Sequence, residues 1–347
     1  LHFEAAGLPA VREASAGLSG IWGVARGREH LVGQALRALH LFHRDQHYVV
    51  IEGKVQIVDE YTGRVLDGRT WEGGLHQMIE AKEALQLTEP ACTLARITFQ
   101  RFFRRYHRLA GMSGTLREAR GELSRIYGLT IVPIAPRLPN QRLEWPMRWF
   151  ATDEQRWDAV VRRTRVLTDL GRPVLIGTDS VADSAAVSSW LQRAGIVHAL
   201  LNANHDAAEA EIVAQAGATG RVTVSTNMAG RGTDIMLDPL ALRAGGLHVI
   251  CCQLNPSRRL DRQLAGRAAR QGQPGSAETW ISLESARFAT DRGEHLLPRI
   301  ARAFARRGEV RLPTFALRAL SSALQAWDEA RHARARARLL REDCETD

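Results

Sequence analysis

Apolar positions in the second half of the chain alternate between short strand-like runs and helical stripes. Residues 174–177, 196–201, 222–225, 246–250 and 279–283 are runs of strand length, rich in β-branched and aromatic side chains. Helical patterns separate them. One begins near Glu154 and ends at Gly171, the next stops at Gly195, and a third passes through Glu209 to Ala216. A fourth carries Gln263, Arg267 and Arg270 at offsets of four and three, which predicts a single helix face. Strands alternating with helices predict an α/β fold with a parallel sheet and ligands at the carboxyl ends of its strands. Thr178, Asp234 and Arg267 are expected to gather on that edge.

The first half is less regular. Leu31, Val32, Ala35, Leu36, Leu39 and Phe42 mark an amphipathic helix, and residues 48–51 and 54–58 about Glu52 and Gly53 predict a hairpin. Helices are expected over 71–87, 94–109 and 116–127, the last closed by Gly128. In the 94–109 helix Phe102, Phe103, Tyr106 and Leu109 should face inward, with Arg101, Arg104, Arg105 and Arg108 outward. Residues 129–134 read as a strand, and Pro136, Pro139 and Pro146 punctuate a domain boundary. From about Glu294 the tail is helical. Leu317, Leu320, Leu324 and Trp327 form an apolar seam, and Arg331, Arg334, Arg336, Arg338 and Arg341 a basic cluster. That cluster is read as a solvated end, with contact to anionic lipid left open.

Composition changes this picture little. With 347 residues the chain has room for two domains, and Leu1 in place of methionine fits a segment of a longer product. No apolar run reaches membrane-spanning length and no signal-peptide pattern opens the chain, so a cytosolic protein is expected, with peripheral membrane contact left open. A net charge of +9 suggests an anionic partner, but only two of the 47 basic residues are lysine, which GC-rich coding bias also produces. The cysteines lack C-x-x-C spacing, so no zinc site is expected, and Cys251 and Cys252 should end a buried strand.

Candidate chemistry lies at 222–235 and 263–272. A strand emptying into a glycine-rich loop with Arg231, Gly232, Thr233 and Asp234, followed by an arginine-bearing helix, is how the second lobe of a RecA-like motor faces a nucleotide. Guanidinium forks suit phosphate and keep their charge. The partner half-site is missing. A Walker A loop needs a lysine in G-x-x-x-x-G-K-[ST], yet Lys54 is followed by Val55 and Lys82 by Glu83. Asp59 and Glu60 end an apolar strand as a Walker B site would. With no P-loop before them, acids facing solvent at a strand end are the preferred reading.

Residues 57–64, 74–77 with 80–83, 109–115, 229–235 and 263–272 resemble SecA, the motor family of bacterial protein export, over roughly Arg28 to Leu283 and most of all its divergent, arginine-rich type. The resemblance implies a RecA-like parallel sheet flanked by helices as second motor domain, with remnants of the first motor domain and crosslinking domain and a helical tail. Residues 1–64 would end the preprotein-crosslinking region and return strand. Residues 65–145 would finish the first nucleotide-binding domain, 146–285 would be the second, and 286–347 the arginine-rich tail. It implies an ATP-driven translocase that passes unfolded preproteins through the SecYEG channel at the inner membrane, with Mg²⁺ arriving with the missing P-loop half. Arg267 and Arg270 would act as arginine fingers, while Asp234, Arg231, Gly232, Thr233, Thr178 and Gln263 would line the nucleotide. No specific nucleic acid is expected, and dimerisation stays open. Departures from the family pattern include Ala269, where a glycine is usual, residues 251–256, and Cys344 alone in place of a zinc-binding tail. They leave two alternatives: a non-hydrolysing module that binds translocon or lipid, and a helicase lobe. Without both Walker motifs this stretch is not expected to hydrolyse ATP by itself.

Overall fold

The computed structural model describes residues 7–59, 65–89, 97–201, 209–226, 234–285, 305–306, 309–310 and 313–345. In chain order the elements are α1 (Gly7–Ala14), α2 (Ala25–His40), β1 (Tyr48–Ile51), β2 (Lys54–Val58), β3 (Val65–Leu66), α3 (Leu75–Lys82), α4 (Phe99–Phe103) and α5 (Arg120–Tyr127). The sheet lobe follows with β4 (Arg142–Glu144), β5 (Arg148–Phe150), α6 (Asp153–Asp169), β6 (Val174–Thr178), α7 (Val181–Arg193), β7 (Ala199–Leu201), α8 (Glu209–Gln215) and β8 (Val222–Thr226). It closes with α9 (Pro239–Arg243), β9 (Leu247–Cys251), α10 (Arg258–Ala265), β10 (Gly275–Ser282), β11 (Ala305–Arg306), β12 (Glu309–Val310) and α11 (Thr314–Glu345).

The large sheet runs β11-β12-β5-β10-β9-β6-β8-β7, with β4 beside the first half of β10. Its pairs from β5 through β7 are all parallel, and at the edge the two-residue β12 runs antiparallel to β5 and to β11. This is an α/β fold, a largely parallel sheet flanked by helices. Every residue of β6, β8 and β9 is buried, as a parallel sheet covered on both faces requires. Val174 and Ile176 point with Val222, Val224 and Ile250 toward Trp157, Val160, Val187 and Leu191 of α6 and α7. Leu175, Val249 and Ala277 take the opposite face, against Leu264 and Ala268. Period-2 alternation thus sorts one strand into two cores.

Local signals set the boundaries. Thr152 and Gln155 close a capping box at the start of α6, and Ser180 caps α7. The hairpin turns through Glu52 and Gly53, both with positive φ, as a two-residue primed turn requires. Its core is Tyr48, Val55, Leu75 and Ile79, and Lys82 reaches back to accept-ready carbonyls of Ala38 (3.1 Å) and Phe42 (2.7 Å) at the end of α2. Cys251 ends β9 and is buried with Cys252, as expected.

Three expectations fail. Residues 129–134 form no strand, and Val132 and Ile134 are 73% and 84% exposed. A strand needs a neighbouring ladder, and none of the described elements offers one. Between 97 and 109 only Phe99–Phe103 is helical, and Phe102, Phe103 and Tyr106 stack on one another while remaining exposed. Trp327 leaves the tail seam, 55% exposed with Arg331 over its ring, whereas Leu317, Leu320 and Leu324 pack as expected. The basic cluster is also partly neutralised: Arg336 grips Glu122, Arg338 pairs with Glu342 and Arg331 with Asp328.

Helix α11, about 48 Å long at 1.5 Å per residue, joins the two halves. It packs on the sheet lobe at Leu317 and, at its far end, offers Asp343 to the backbone N–H (3.0 Å) and hydroxyl (2.7 Å) of Thr98. No helix among the described residues is long and apolar enough to cross a membrane.

Candidate functional site: the arginine segment after α10

The predicted single helix over 263–270 does not form. Helix α10 stops at Ala265, Gly266 caps it, and Ala269 and Gln271 take left-handed backbone (φ 57° and 54°), which no α-helix continues through. Gln263 therefore sits on the helix, Arg267 in the turn beyond it, and Arg270 in a short 3₁₀ turn. The distinction matters for Ala269. A Cβ in the left-handed region costs about 1–2 kcal/mol, and glycine would remove that cost.

The irregular turn brings Arg270 to Asp234. Their ion pair spans 2.9 Å, and Gln271 donates to the other carboxylate oxygen at 3.0 Å. Asp234 is held by the segment it begins: Ile235 and Leu237 pack in the α10-side core. Gly217 lets that segment pass, since a Cβ there would stand 2.0 Å from the carbonyl oxygen of Met236. Asp238 then caps α9 and accepts from the Thr219 amide and hydroxyl at 2.7 Å. Those bonds, the Ala241 amide first, hold its carboxyl down at about 2. Asp234 and Arg270 each keep more than a third of their side chains exposed.

Of the other residues expected at this site, Gln263 points elsewhere and reaches the Thr115 hydroxyl at 3.3 Å. Beside it Arg262 pairs with Glu118. Thr115 belongs to the small-residue turn at 111–115, so α10 faces the segment preceding the sheet lobe through two polar contacts. Arg267 is half-buried at the end of α10. Arg231, Gly232 and Thr233 lie outside the described residues, as does Glu60, while Asp59 directly follows β2.

Thr178 does not join the group. It is fully buried at the carboxyl end of β6, its hydroxyl within 3.4–3.5 Å of the Ser180 and Ser225 carbonyls. Asp234 and Arg270 gather instead on the α10 face, where Ala268 and Ala269 pack against Gly275, the first residue of β10. The expected convergence on one sheet edge is corrected: the chain leaves the carboxyl ends along α10 before presenting Arg270.

Two further charge clusters escaped the reading of the sequence. Arg156 is buried on α6, stacked on Trp157, and pairs with Asp153 (2.8 Å) and Asp183 (3.2 Å) while donating to the Cys252 carbonyl. Burial pushes Asp183 up against the pull of Arg156. Dense surroundings, and then the Asp183 carboxylate, push neighbouring Asp179 up to about 7, although its side chain keeps contact with solvent. The other cluster strings Ser276, His248 and Glu278 together: His248 Nδ1 to Ser276 Oγ 2.7 Å and Nε2 to Glu278 Oε1 2.7 Å. Arg172 and Arg163 close its ends at 2.8 Å each. The order imitates a hydrolytic triad, but all three groups are buried, and burial keeps His248 below its usual pKa. It is a satisfied core network. A capping signal, Ser180 with Asp183 three residues on, was the only sequence hint of the Arg156 cluster.

Among the described residues no three acidic, histidine or cysteine side chains cluster as a metal site. The arrangement offers instead a part-exposed cationic fork resting on a carboxylate.

Two family models match the chain. The SecA P-loop domain matches residues 139–241 and 240–302, and the SecA preprotein cross-linking domain matches residues 5–80. Protein translocase subunit SecA 2 of Nitrosospira multiformis is 55% identical over 277 residues, 80% of this chain and 42% of that protein. The Bordetella avium SecA 2 subunit is 50% identical over 281 residues, 81% of this chain and 43% of that protein. Protein translocase subunit SecA of Thermotoga neapolitana is 49% identical over 255 residues, 74% and 29% respectively. The chain spans less than half the length of each of these relatives.

Proposed function

We propose a function for a chain that belongs to the SecA family of protein translocases: it supplies the second-lobe half of an ATP site, completed by a lobe that carries a P-loop. The observation that carries this reading is the Arg270–Asp234 pair. Asp234 holds the guanidinium half-exposed, in a geometry where a carboxylate occupies the position a phosphate oxygen would take. Exchange of the carboxylate for a phosphoryl group would free Asp234 from Arg270. Arg270, with Arg267 from the turn before it, would stabilise the charge that spreads over the transferring phosphoryl. Such fingers contribute roughly 10³–10⁵ in rate. Thr178, sealed by its own bonds, is left out of the site.

The magnesium ion would enter with the P-loop lobe, since no lysine here stands in a Walker A context. Exposed apolar side chains at 99–106 and 132–134 support the reading that a further lobe packs there. In the same proposal, ATP turnover drives unfolded preprotein through the SecYEG channel from the cytoplasmic side, with the chain peripheral to the membrane. Anionic lipid would meet the arginines of α11 that lack an internal acid.

The test uses a product long enough to contain the P-loop lobe. Arg267→Ala should lower ATP turnover by roughly 10³-fold or more with an unchanged melting temperature. Undiminished turnover would overturn the assignment. Absence of saturable ATP binding by the parent product would favour a non-hydrolysing binding module.

A further inference from the structure

We infer that Gln325 and Glu329 of α11 are positioning residues for the nucleotide-facing arginines, holding α10 in place from its amino end; the inference rests on the ATP-site reading above. Helix α10 is a single helix of eight residues that leads directly into the turn carrying Arg267 and Arg270. What grips this helix therefore sets where the turn carrying Arg267 and Arg270 begins, and the left-handed residues 269 and 271 with the Asp234 pair fix the rest. The flank of α10 meets Thr115 and Glu118, its inner face meets the sheet through Leu264, and its start meets α11.

The grip at the start is polar. Glu329 Oε1 accepts from the Arg258 backbone N–H (3.1 Å) and from the Ser257 hydroxyl (3.1 Å), the N-cap residue of α10. A carboxylate thus sits where the open N–H groups of a helix favour negative charge. Four residues earlier, one turn along α11, Gln325 is buried and its amide donates to the Asn255 carbonyl (3.0 Å) and to Asp261. Asp261 lies on α10 itself, and its other oxygen accepts from the Asn255 amide (3.1 Å) and side chain (2.7 Å). Arg258 completes the clamp by donating to the Ser322 carbonyl at 3.2 Å. Gln325 and Glu329 are one helical turn apart, so both face α10 at once.

The far end of α11 is anchored on the other half of the molecule, Arg336 to Glu122 and Asp343 to Thr98. A displacement of the segment at 98–122 that takes the anchored α11 with it must either stretch the clamp at 325–329 or carry α10 along. Sliding Gln325 away would strand the buried Asn255 carbonyl and one Asp261 oxygen, which makes carrying α10 the easier course. Helix α11 thereby becomes a lever on Arg267 and Arg270.

Amide hydrogen exchange on the chain tests this without nucleotide. The double substitution Gln325→Met with Glu329→Ala should accelerate exchange at 257–265 by about tenfold or more, while 181–193 stays protected. Unchanged exchange at 257–265 would overturn the proposal. Should the double variant fail to fold, Glu329→Ala alone is read by the same criterion, and Glu329→Gln, which keeps an acceptor oxygen, should restore protection. In the longer product the same substitutions should lower kcat about tenfold with KM nearly unchanged, as for groups that align rather than bind. Normal kcat there, alongside an inactive Arg267→Ala, would sink the lever and leave the ATP site standing. Normal turnover by Arg267→Ala would sink the ATP site, with hydrogen exchange still deciding whether α11 holds α10.

Discussion

The sheet lobe and the segment at 97–138 are built from similarly apolar sequence, yet one closes a core and the other does not. In the lobe β6, β8 and β9 are buried on both faces, and even its acids and arginines find partners. In the segment Phe99 and Met112 are 72% and 96% exposed, and order comes from polar contacts with α10 and α11. Apolar content alone does not make a core. A sheet needs its neighbouring strands, and the segment has the side chains of a buried layer without the layer that would cover it.

The comparison breaks most sharply under large-to-small substitution. Trp280→Ala, at the centre of the lobe, should cost about 3–5 kcal/mol in denaturant unfolding, whereas Val132→Ser and Ile134→Ser should each stay within about 0.5 kcal/mol. Equal costs would mean that the segment has a core of its own. Next comes the buried charge. Arg156→Met leaves Asp153 and Asp183 facing each other and should cost about 2–4 kcal/mol, below a fully buried pair because both acids retain solvent.

How much of this could be read from the chain follows the same line. The parallel lobe was legible because strand runs, helix stripes and stop glycines such as Gly171 and Gly195 agree with one another. The strand at 129–134 and the inward aromatics at 102–106 were misread because period reports which side chains seek burial, not whether a partner is present. At the site, residue types were legible and geometry was not. The spacing of Gln263, Arg267 and Arg270 fits a helix, but Gly266 ends it and left-handed Ala269 turns Arg270 back onto Asp234. Thr178 looked available at a strand end, and only the neighbouring Ser180 and Ser225 carbonyls reveal that it is closed off.

Smaller effects sharpen the contrast between the packed lobe and its irregular turn. Ala269→Gly should stabilise the chain by about 0.5–1 kcal/mol in urea, the gain from relieving a left-handed alanine less the added chain entropy. The smallest effect is one of pH. Asp179 resists ionisation in the folded lobe up to about 7, whereas the unfolded chain ionises it near its ordinary 3.8. The stability it contributes is therefore present in acid below the ordinary value and is lost as pH rises through about 7. Asp179→Asn should flatten that part of the melting-temperature profile, and an unaltered profile would place the proton elsewhere.

The central claim is that Arg270 leaves Asp234 to meet a phosphoryl group. A structure of the longer product trapped with magnesium, ADP and a planar phosphate mimic measures this directly. The Arg270 guanidinium should lie within about 3 Å of the mimic, with the Asp234 pair opened. An Arg270 still on Asp234, with the mimic bound and out of its reach, would contradict it.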